Sequence, residues 1–145
     1  MTTATRRIEF DYGHRVLGHG GKCRHLHGHR GVAEVAVDAA ALDRLGMVVD
    51  FAAVKERVGG WVDASWDHAL LLHRDDPQLP HLRETEERPP YVMKYGNPTA
   101  ENMARELAEV AAGLLPPGLR LARVRLYETP NCWADYVPAA AAGEV

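Results

Sequence analysis

Charged and apolar side chains alternate along residues 121–129, LARVRLYET. Successive side chains of a strand point to opposite faces of a sheet, so a strict period of two predicts a half-buried antiparallel strand. This pattern puts Leu121 on the exposed face and leaves the other face to the core. That buried face is expected to hold Ala122, Val124, Leu126 and Glu128.

Three more strands are expected where β-branched and aromatic residues stand between turn signals. Residues 6–16 start as a strand and run into a glycine-rich loop, and VAEVAV, 32–37, returns as a second strand. The two would form a hairpin with an unusually long connection. CWADYV, 132–137, follows the alternating segment as a fourth strand.

Two helices are expected between the two pairs of strands. Asp50 is a candidate N-cap for the first helix, which Gly59 and Gly60 should kink or end. Thr99 is a candidate N-cap for the second, which ends near residue 115 at the sequence LLPPG. The polar, proline-bearing residues 74–91 are interpreted as an exposed connection.

The order β-β-α-α-β-β predicts an α+β fold, a four-stranded antiparallel sheet with two helices on one face. Residues 1–138 would form a single domain, and the alanine-rich residues 139–145 a flexible C-terminal tail.

Composition and charge limit the partners to be expected. A net charge of −3 over 145 residues gives no reason to expect nucleic acid or an anionic membrane. No run of about 18 apolar residues and no secretory signal is visible, so we expect a cytoplasmic protein. Cys23 and Cys132 could pair, but the lack of a disulfide framework favours reduced thiols.

Five of the eight histidines lie close together in the first hairpin. His27 and His29 point to the same face if a strand begins there, and His14 could oppose them from the preceding strand. Three neutral imidazoles suit zinc and leave a fourth position for water or substrate. His19 and His25 fit this arrangement less well and are interpreted as loop residues.

Cys23, in the segment KCRHLHGHR, has two possible roles. As a fourth ligand it would close the site and make the metal structural, although such sites usually take two or more thiolates. Its neighbours Lys22 and Arg24, and a nearby metal, would instead lower the pKa of the thiol and favour a reactive thiolate. The residues alone leave both interpretations open, and we favour the reactive thiol.

Two carboxylates are further candidates for chemistry. Asp67 precedes His68 in SWDHALLL, and in a loop or turn it could fix the imidazole tautomer for proton transfer. An ordinary surface pair is the alternative. Glu128, on a face expected to be buried, needs either a structural counter-charge or the N–H groups of a ligand.

Five short motifs occur in an order that resembles a known family. GHRV…KCRHLHGH, GMVVDF, WDHALLL, NPTAENMA and YETPN are similar to motifs of the 6-pyruvoyl-tetrahydropterin synthase superfamily, over about residues 10–136. The C-x(3)-H-x-H spacing resembles the 6-carboxy-5,6,7,8-tetrahydropterin synthase branch, which belongs to the queuosine-precursor pathway.

The resemblance implies the tunnelling fold, whose subunits commonly assemble as a homohexamer, a dimer of trimers, with active sites at the subunit interfaces. It implies one Zn²⁺ ion per subunit and a thiol that transfers protons rather than binding the metal. The roles it implies are zinc binding by His14, His27 and His29, proton transfer by Cys23, Asp67 and His68, and pterin binding by Glu128, Thr99 and Glu101.

The implied substrate is 7,8-dihydroneopterin triphosphate, which the carboxy branch converts to 6-carboxytetrahydropterin, acetaldehyde and triphosphate. Lys22, Arg24 and Arg30 are candidates for contacting the triphosphate, since phosphate recognition favours lysine and arginine. The sequence departs from the family pattern at Gly31, where an aromatic residue is usual, and at His73, where asparagine is common. Arg30 also replaces a frequent small polar residue.

Two alternative functions are retained at this stage. A pyruvoyl-forming synthase would share the site but keep the three-carbon side chain of the substrate. A non-catalytic, zinc-stabilised interaction module would have a closed site in which Cys23 joins the three histidines.

Overall fold

A long hairpin forms the centre of the fold in a computed structural model of the protein, which describes residues 1–139. Strand β1, Thr2–His14, pairs antiparallel with β2, His27–Ala39, along its whole length. The register runs from Thr2 opposite Ala39 to His14 opposite His27. Apart from its first residue, the tail expected at 139–145 lies outside the described residues.

The sheet has six strands, in the order β4-β3-β1-β2-β5-β6, and not the four expected from the sequence. Beyond β2, the antiparallel strands β5, Arg120–Thr129, and β6, Cys132–Tyr136, agree with the prediction. Beyond β1, the strands β3, Ala69–Leu72, and β4, Tyr91–Val92, are added in parallel. The expectation of a purely antiparallel sheet was therefore also wrong.

The two added strands give no alternating signal that a sequence pattern could reveal. Strand β3 is the short apolar run ALLL, in which Leu71 and Leu72 are both fully buried. Strand β4 has only two residues. Parallel strands covered on both faces are typically continuous apolar runs, and this explains why the period of two is absent.

The first predicted helix is continuous but contains a π turn. It consists of α1, Phe51–Val54, a π-helical turn, Lys55–Gly59, and α2, Gly60–Ser65. The glycine pair lies at the junction between the π turn and α2. The irregularity expected at these glycines is therefore a π turn. Asp50 caps the helix as expected, since its carboxylate accepts a hydrogen bond of 2.8 Å from the backbone N–H of Ala52.

Two more helices follow β3. Helix α3, Leu79–Thr85, lies within residues 74–91, which the sequence analysis had interpreted as an exposed connection, and β4 begins at the last of these residues. The expectation of only two helices was therefore wrong. Helix α4, Ala100–Leu114, begins after Thr99, whose hydroxyl accepts a hydrogen bond of 3.2 Å from the Asn102 N–H. The expected N-cap is therefore confirmed.

One core joins the helices to one face of the sheet, as predicted. Burying these apolar side chains supplies the main driving force for folding. The helices contribute Val54, Val58, Val62, Met103, Leu107 and Ala111, and the sheet contributes Phe10, Val35, Val124 and Leu126.

Leu121 is also in this core, although strict alternation placed it on the exposed face. Leu121 pairs with Val37 while Arg123 pairs with Ala36, so Ala122 is an extra residue in β5. Such a β-bulge reverses the faces of the residues before it, and this corrects the prediction for Leu121.

No helix in the part of the chain that the structure describes is long and apolar enough to cross a bilayer.

Candidate active site

The end of the central hairpin brings three histidines together. His14 closes β1 opposite His27, the first residue of β2, and His29 follows two residues later, opposite Tyr12. Period-two geometry therefore puts the three imidazoles on one face of the sheet. Their ring centroids are 4.6, 4.8 and 5.0 Å apart, and three potential ligand atoms, one per ring, lie within 4.8 Å of one another.

Backbone carbonyl groups fix the orientation of two of these rings. The Nδ1 of His14 lies 2.7 Å from the carbonyl oxygen of Pro98, and the Nδ1 of His27 lies 2.6 Å from that of His25. Because a carbonyl can only accept, each Nδ1 carries a proton and donates it. Both Nε2 atoms are then acceptors in the neutral rings, and they face each other at 3.1 Å.

Burial favours the neutral form of two of the imidazoles, those of His14 and His29. His14 is 1% exposed, and burial is the main cause that lowers its pKa below the ordinary value. Burial also lowers the pKa of His29, against the opposing charge of Glu128. The Nε2 of His29 is buried and has no hydrogen-bond partner among residues 1–139, although it lies 3.4 Å from Glu128 Oε1.

Three neutral imidazoles with converging nitrogen atoms are a suitable ligand set for zinc. Zn–N distances of about 2.0–2.1 Å place neighbouring ligand nitrogens about 3.3 Å apart in a tetrahedron. The 3.1 Å between the Nε2 atoms of His14 and His27 is close to that separation. Metal-binding histidines usually donate a hydrogen bond from their other ring nitrogen to a carbonyl or carboxylate, as the Nδ1 atoms of His14 and His27 do here.

Cys23 lies in a 3₁₀ turn, Lys22–Arg24, within the connection between β1 and β2. Its side chain is half-buried, and its carbonyl oxygen accepts a hydrogen bond of 2.8 Å from the Val16 N–H. Within residues 1–139, the thiol does not belong to any group of three potential metal ligands within 4.8 Å. Cys23 and Cys132 are both free thiols.

Asp67 and His68 occupy the turn between α2 and β3, and they form the hydrogen bond that a turn was expected to permit. The Nδ1 of His68 lies 2.8 Å from Asp67 Oδ2, while Asp67 Oδ1 accepts a hydrogen bond of 2.9 Å from the Asp11 N–H. Burial alone would raise the pKa of Asp67. The hydrogen bonds from Asp11 and His68, with the positive charge of Arg88, lower that pKa below its usual range.

The backbone of this turn is held in an uncommon conformation. His68 has a φ of 57°, in the left-handed region that non-glycine residues rarely adopt. Its N–H donates to the Asp11 carbonyl at 2.7 Å, and Arg88 donates to the carbonyls of Asp67 at 2.7 Å and Ala64 at 2.9 Å. The ring of His68 is exposed, and its potential ligand atom lies within 4.8 Å of those of Asp11 and Asp67. Asp11 alternates with Tyr12 along β1, so this group lies on the opposite face of the sheet from the three imidazoles.

Glu128 lies in β5 and lines a neighbouring cavity of about 640 Å³ with His29. Its carboxylate is half-buried, with 27% of the side chain exposed, so it can meet a ligand from that cavity. The other two residues assigned to pterin binding are less well placed. The Thr99 hydroxyl caps α4, and Glu101 is exposed in the first turn of that helix.

The three basic residues proposed for the triphosphate are exposed. Arg24 donates to the carbonyl groups of Gly20 and Gly21. Arg30 is paired with Asp11 and Glu9 at 3.2 Å. Because Arg30 directly follows His29 in β2, its side chain lies on the opposite face of the sheet from the histidines.

Sequence reasoning missed four groups that shape the site. Asp11 and Tyr12 belong to the segment FDYGH, where alternation could have put Tyr12 beside His14. The Pro98 carbonyl and the Arg88 guanidinium come from distant segments, and no spacing in the sequence could have indicated them. Burial, with a smaller contribution from the charge of Glu128, raises the pKa of Tyr12, so its hydroxyl stays protonated.

Fold and site together define a tunnelling-fold protein with a three-histidine site at the end of its central hairpin. The sequence matches the 6-pyruvoyl tetrahydropterin synthase family over residues 3–139, and the chain belongs to this family. Among solved structures, an uncharacterized protein from Wolinella succinogenes has a TM-score of 0.82 at 26% identity, covering 95% of this chain and 98% of its own. The 6-pyruvoyl tetrahydropterin synthase of Caenorhabditis elegans, at 24% identity and a TM-score of 0.69, covers 95% and 96% and supports the fold.

Several relatives carry a narrower name. A 6-carboxy-5,6,7,8-tetrahydropterin synthase from Rickettsia felis is 43% identical over 137 residues, which cover 93% of this chain and 99% of the relative. A protein of the same name from Aquifex aeolicus is 31% identical, covering 91% and 95%.

Proposed function

We propose that the protein is a zinc-dependent 6-carboxy-5,6,7,8-tetrahydropterin synthase. It would convert 7,8-dihydroneopterin triphosphate to 6-carboxytetrahydropterin, acetaldehyde and triphosphate, within queuosine biosynthesis. The observation that carries this proposal is the meeting of His14, His27 and His29 beside Glu128. The names of the relatives favour the carboxy branch over the pyruvoyl branch.

His14, His27 and His29 would hold the zinc ion, which supplies Lewis-acid polarisation of substrate oxygen atoms when bound. The Pro98 and His25 carbonyl groups orient the rings of His14 and His27, so their Nε2 atoms would be free to hold the ion. Cys23, outside the cluster of the three ligands, is then available as a thiol for proton transfer.

His68 is suited to the second proton transfer. Its Nδ1 proton is donated to Asp67, so Nε2 is left with the lone pair that can take a proton from substrate. The charge of Asp67 also stabilises the imidazolium that forms, in the way a carboxylate supports a general base. The exposed ring is accessible to a ligand.

Glu128 would accept hydrogen bonds from the N–H groups of the pterin ring. A carboxylate is an acceptor for two parallel donors, and hydrogen bonds to a charged group are stronger than neutral ones. The depth of Glu128 in the cavity would then set how far the pterin side chain reaches toward the histidines.

We also propose that the subunits assemble as a homohexamer, a dimer of trimers. Strand β6 is an edge strand of the sheet, and Trp133 within it is 49% exposed. An open edge with an exposed aromatic residue is suited to pairing with another subunit. Light scattering coupled to gel filtration would test this assembly, and a monomer would contradict it.

The experiment that tests the function is mass spectrometry of the products after zinc-loaded protein is incubated with 7,8-dihydroneopterin triphosphate. The proposal expects 6-carboxytetrahydropterin together with acetaldehyde. A pyruvoyl product would instead assign the chain to the sister activity on the same site. Unchanged substrate, from folded protein with its full zinc content, would reject both.

A further inference from the structure

Gly31 leaves room for two aromatic rings of the neighbouring strand. A Cβ atom built at this position would lie 2.8 Å from Phe10 Cζ and 2.9 Å from Tyr12 Cε1. Both separations are below normal van der Waals contact, so even alanine would have to displace a ring. The Tyr12 ring therefore lies over β2 at the position of Gly31.

The position of Gly31 relative to β5 shows where the Tyr12 ring leads. Val32 of β2 pairs with Tyr127 of β5, and the antiparallel register then places Gly31 across from Glu128. A tyrosine that starts on β1 and crosses β2 over Gly31 extends toward Glu128. The carboxylate is near enough for its charge to act on the tyrosine hydroxyl.

The hydroxyl at the end of this ring has no hydrogen-bond partner in the part of the chain that the structure describes. Tyr12 is 4% exposed, and its oxygen is buried without a hydrogen bond to any described residue. A buried polar group left unpaired destabilises the folded chain, and native structures rarely retain one without a reason. Phenylalanine would fill the same space without this cost.

We propose that Tyr12 is a positioning residue for Glu128. Its hydroxyl, carried across β2 over Gly31, donates a hydrogen bond to the Glu128 carboxylate when a ligand occupies the site. That bond fixes the carboxylate in the orientation that receives the N–H groups of the ligand. The inference rests on the proposed function, because it takes the ligand of Glu128 to be a pterin.

The proposal also accounts for the glycine at position 31. A side chain there would displace the ring of Phe10 or Tyr12. A larger residue at position 31 should therefore weaken ligand binding, as should the loss of the Tyr12 hydroxyl.

Substitution of the hydroxyl alone tests this role. Neopterin is titrated into zinc-loaded wild-type protein and into Tyr12→Phe, and pterin fluorescence gives the Kd. We expect the Kd of Tyr12→Phe to rise about tenfold, since a hydrogen bond to a charged group is lost. The thermal midpoint of the ligand-free variant should stay the same or rise, because an unpaired hydroxyl has been removed.

Tyr91→Phe is the matched control for the loss of a buried tyrosine hydroxyl. The Tyr91 hydroxyl donates to Glu106 in the core, away from the histidines. Its removal should lower the thermal midpoint and leave the Kd for neopterin unchanged. The two variants are thus expected to show opposite patterns of stability and binding.

A double-mutant cycle shows whether Tyr12 acts through Glu128. In the Glu128→Gln background, Tyr12→Phe should have little further effect on the Kd. An equal Kd for wild type and Tyr12→Phe would overturn the positioning role, as would the same loss in both backgrounds. A wild-type protein that binds no pterin would overturn the proposed function and this inference with it.

Discussion

The Nε2 atoms of His14 and His27 face each other at 3.1 Å, while each Nδ1 donates its proton to a backbone carbonyl. Two acceptor lone pairs at this distance repel each other unless a cation or a shared proton lies between them. The backbone therefore arranges an unfavourable contact that a bound metal ion would convert into a favourable one.

Replacement of any of the three histidines should abolish zinc binding at the site. We expect His14→Ala, His27→Ala and His29→Ala each to reduce the zinc content from about one ion per chain to background, because two imidazoles bind zinc far more weakly than three. Elemental analysis by mass spectrometry measures this. His81→Ala, in the exposed part of α3, is the control and should retain its zinc.

Cys23→Ala should distinguish between the two hypotheses, an enzyme and a zinc-stabilised interaction module. The thiol lies outside the cluster of three ligands, so the variant should keep its zinc and its thermal midpoint while product formation is lost. Zinc analysis, thermal unfolding and the product assay are run on the same preparation. Release of zinc with unfolding would instead identify Cys23 as a structural ligand.

Asp67→Asn should impair proton transfer without loss of the fold. The amide cannot stabilise the charged form of His68, so we expect kcat to fall about a hundredfold, within the range typical of general acid–base catalysis. The substrate KM should change little. Asp63→Asn, an exposed substitution in the nearby α2, is the control and should leave kcat at the wild-type value.

Thr99→Ala decides whether the hydroxyl of Thr99 serves the helix or the substrate. Since this hydroxyl caps α4, its loss should lower the free energy of unfolding by about 1 kcal/mol. Thr99→Ser should restore that stability. If the cap is its whole role, the KM of Thr99→Ala stays at the wild-type value, and an increased KM would support the expected place of Thr99 near the pterin.

The metal-free protein should become less stable as the pH falls below about 6.5. Burial lowers the pKa of both His14 and His29 below the ordinary 6.5, so the unfolded chain binds more protons in this range. The free energy of unfolding therefore decreases with decreasing pH. Thermal midpoints of chelator-treated protein from about pH 8 to about pH 5.5 would show this decrease.

A double variant supplies the comparison for this pH dependence. His14→Gln/His29→Gln removes both titrating groups and should flatten the curve in this range. A thermal midpoint of the parent protein that stays constant or rises on acidification would contradict the prediction.

Local patterns in the sequence predicted the elements that build the site. Alternation in 121–129 predicted β5, and Asp50 and Thr99 were recognised as helix caps. The prediction failed where long-range packing decides the structure. The run ALLL became a parallel strand because its neighbours cover both faces, and the bulge at Ala122 reversed the face of Leu121.

The candidate site divides in the same way. The spacing of His27 and His29, and the place of His14 on the opposing strand, were enough to predict that the three imidazoles meet. The crossing of the Tyr12 ring over Gly31 was not predictable, because it depends on the direction of a side chain relative to a neighbouring strand. The contact of Arg88 with the turn at Asp67 was not predictable either, because it is made to backbone carbonyl groups, which every residue has.

The segment that leads into α4 is attached to the histidine hairpin at two adjacent residues. The Asn97 side chain accepts a hydrogen bond from the Leu17 N–H and donates one to its carbonyl, and the carbonyl of Pro98 receives the His14 proton. Local loosening of this segment would free the His14 ring to rotate without unfolding of any helix. The affinity of the site for zinc would then fall on warming, while the circular dichroism of the chain is still that of the native protein.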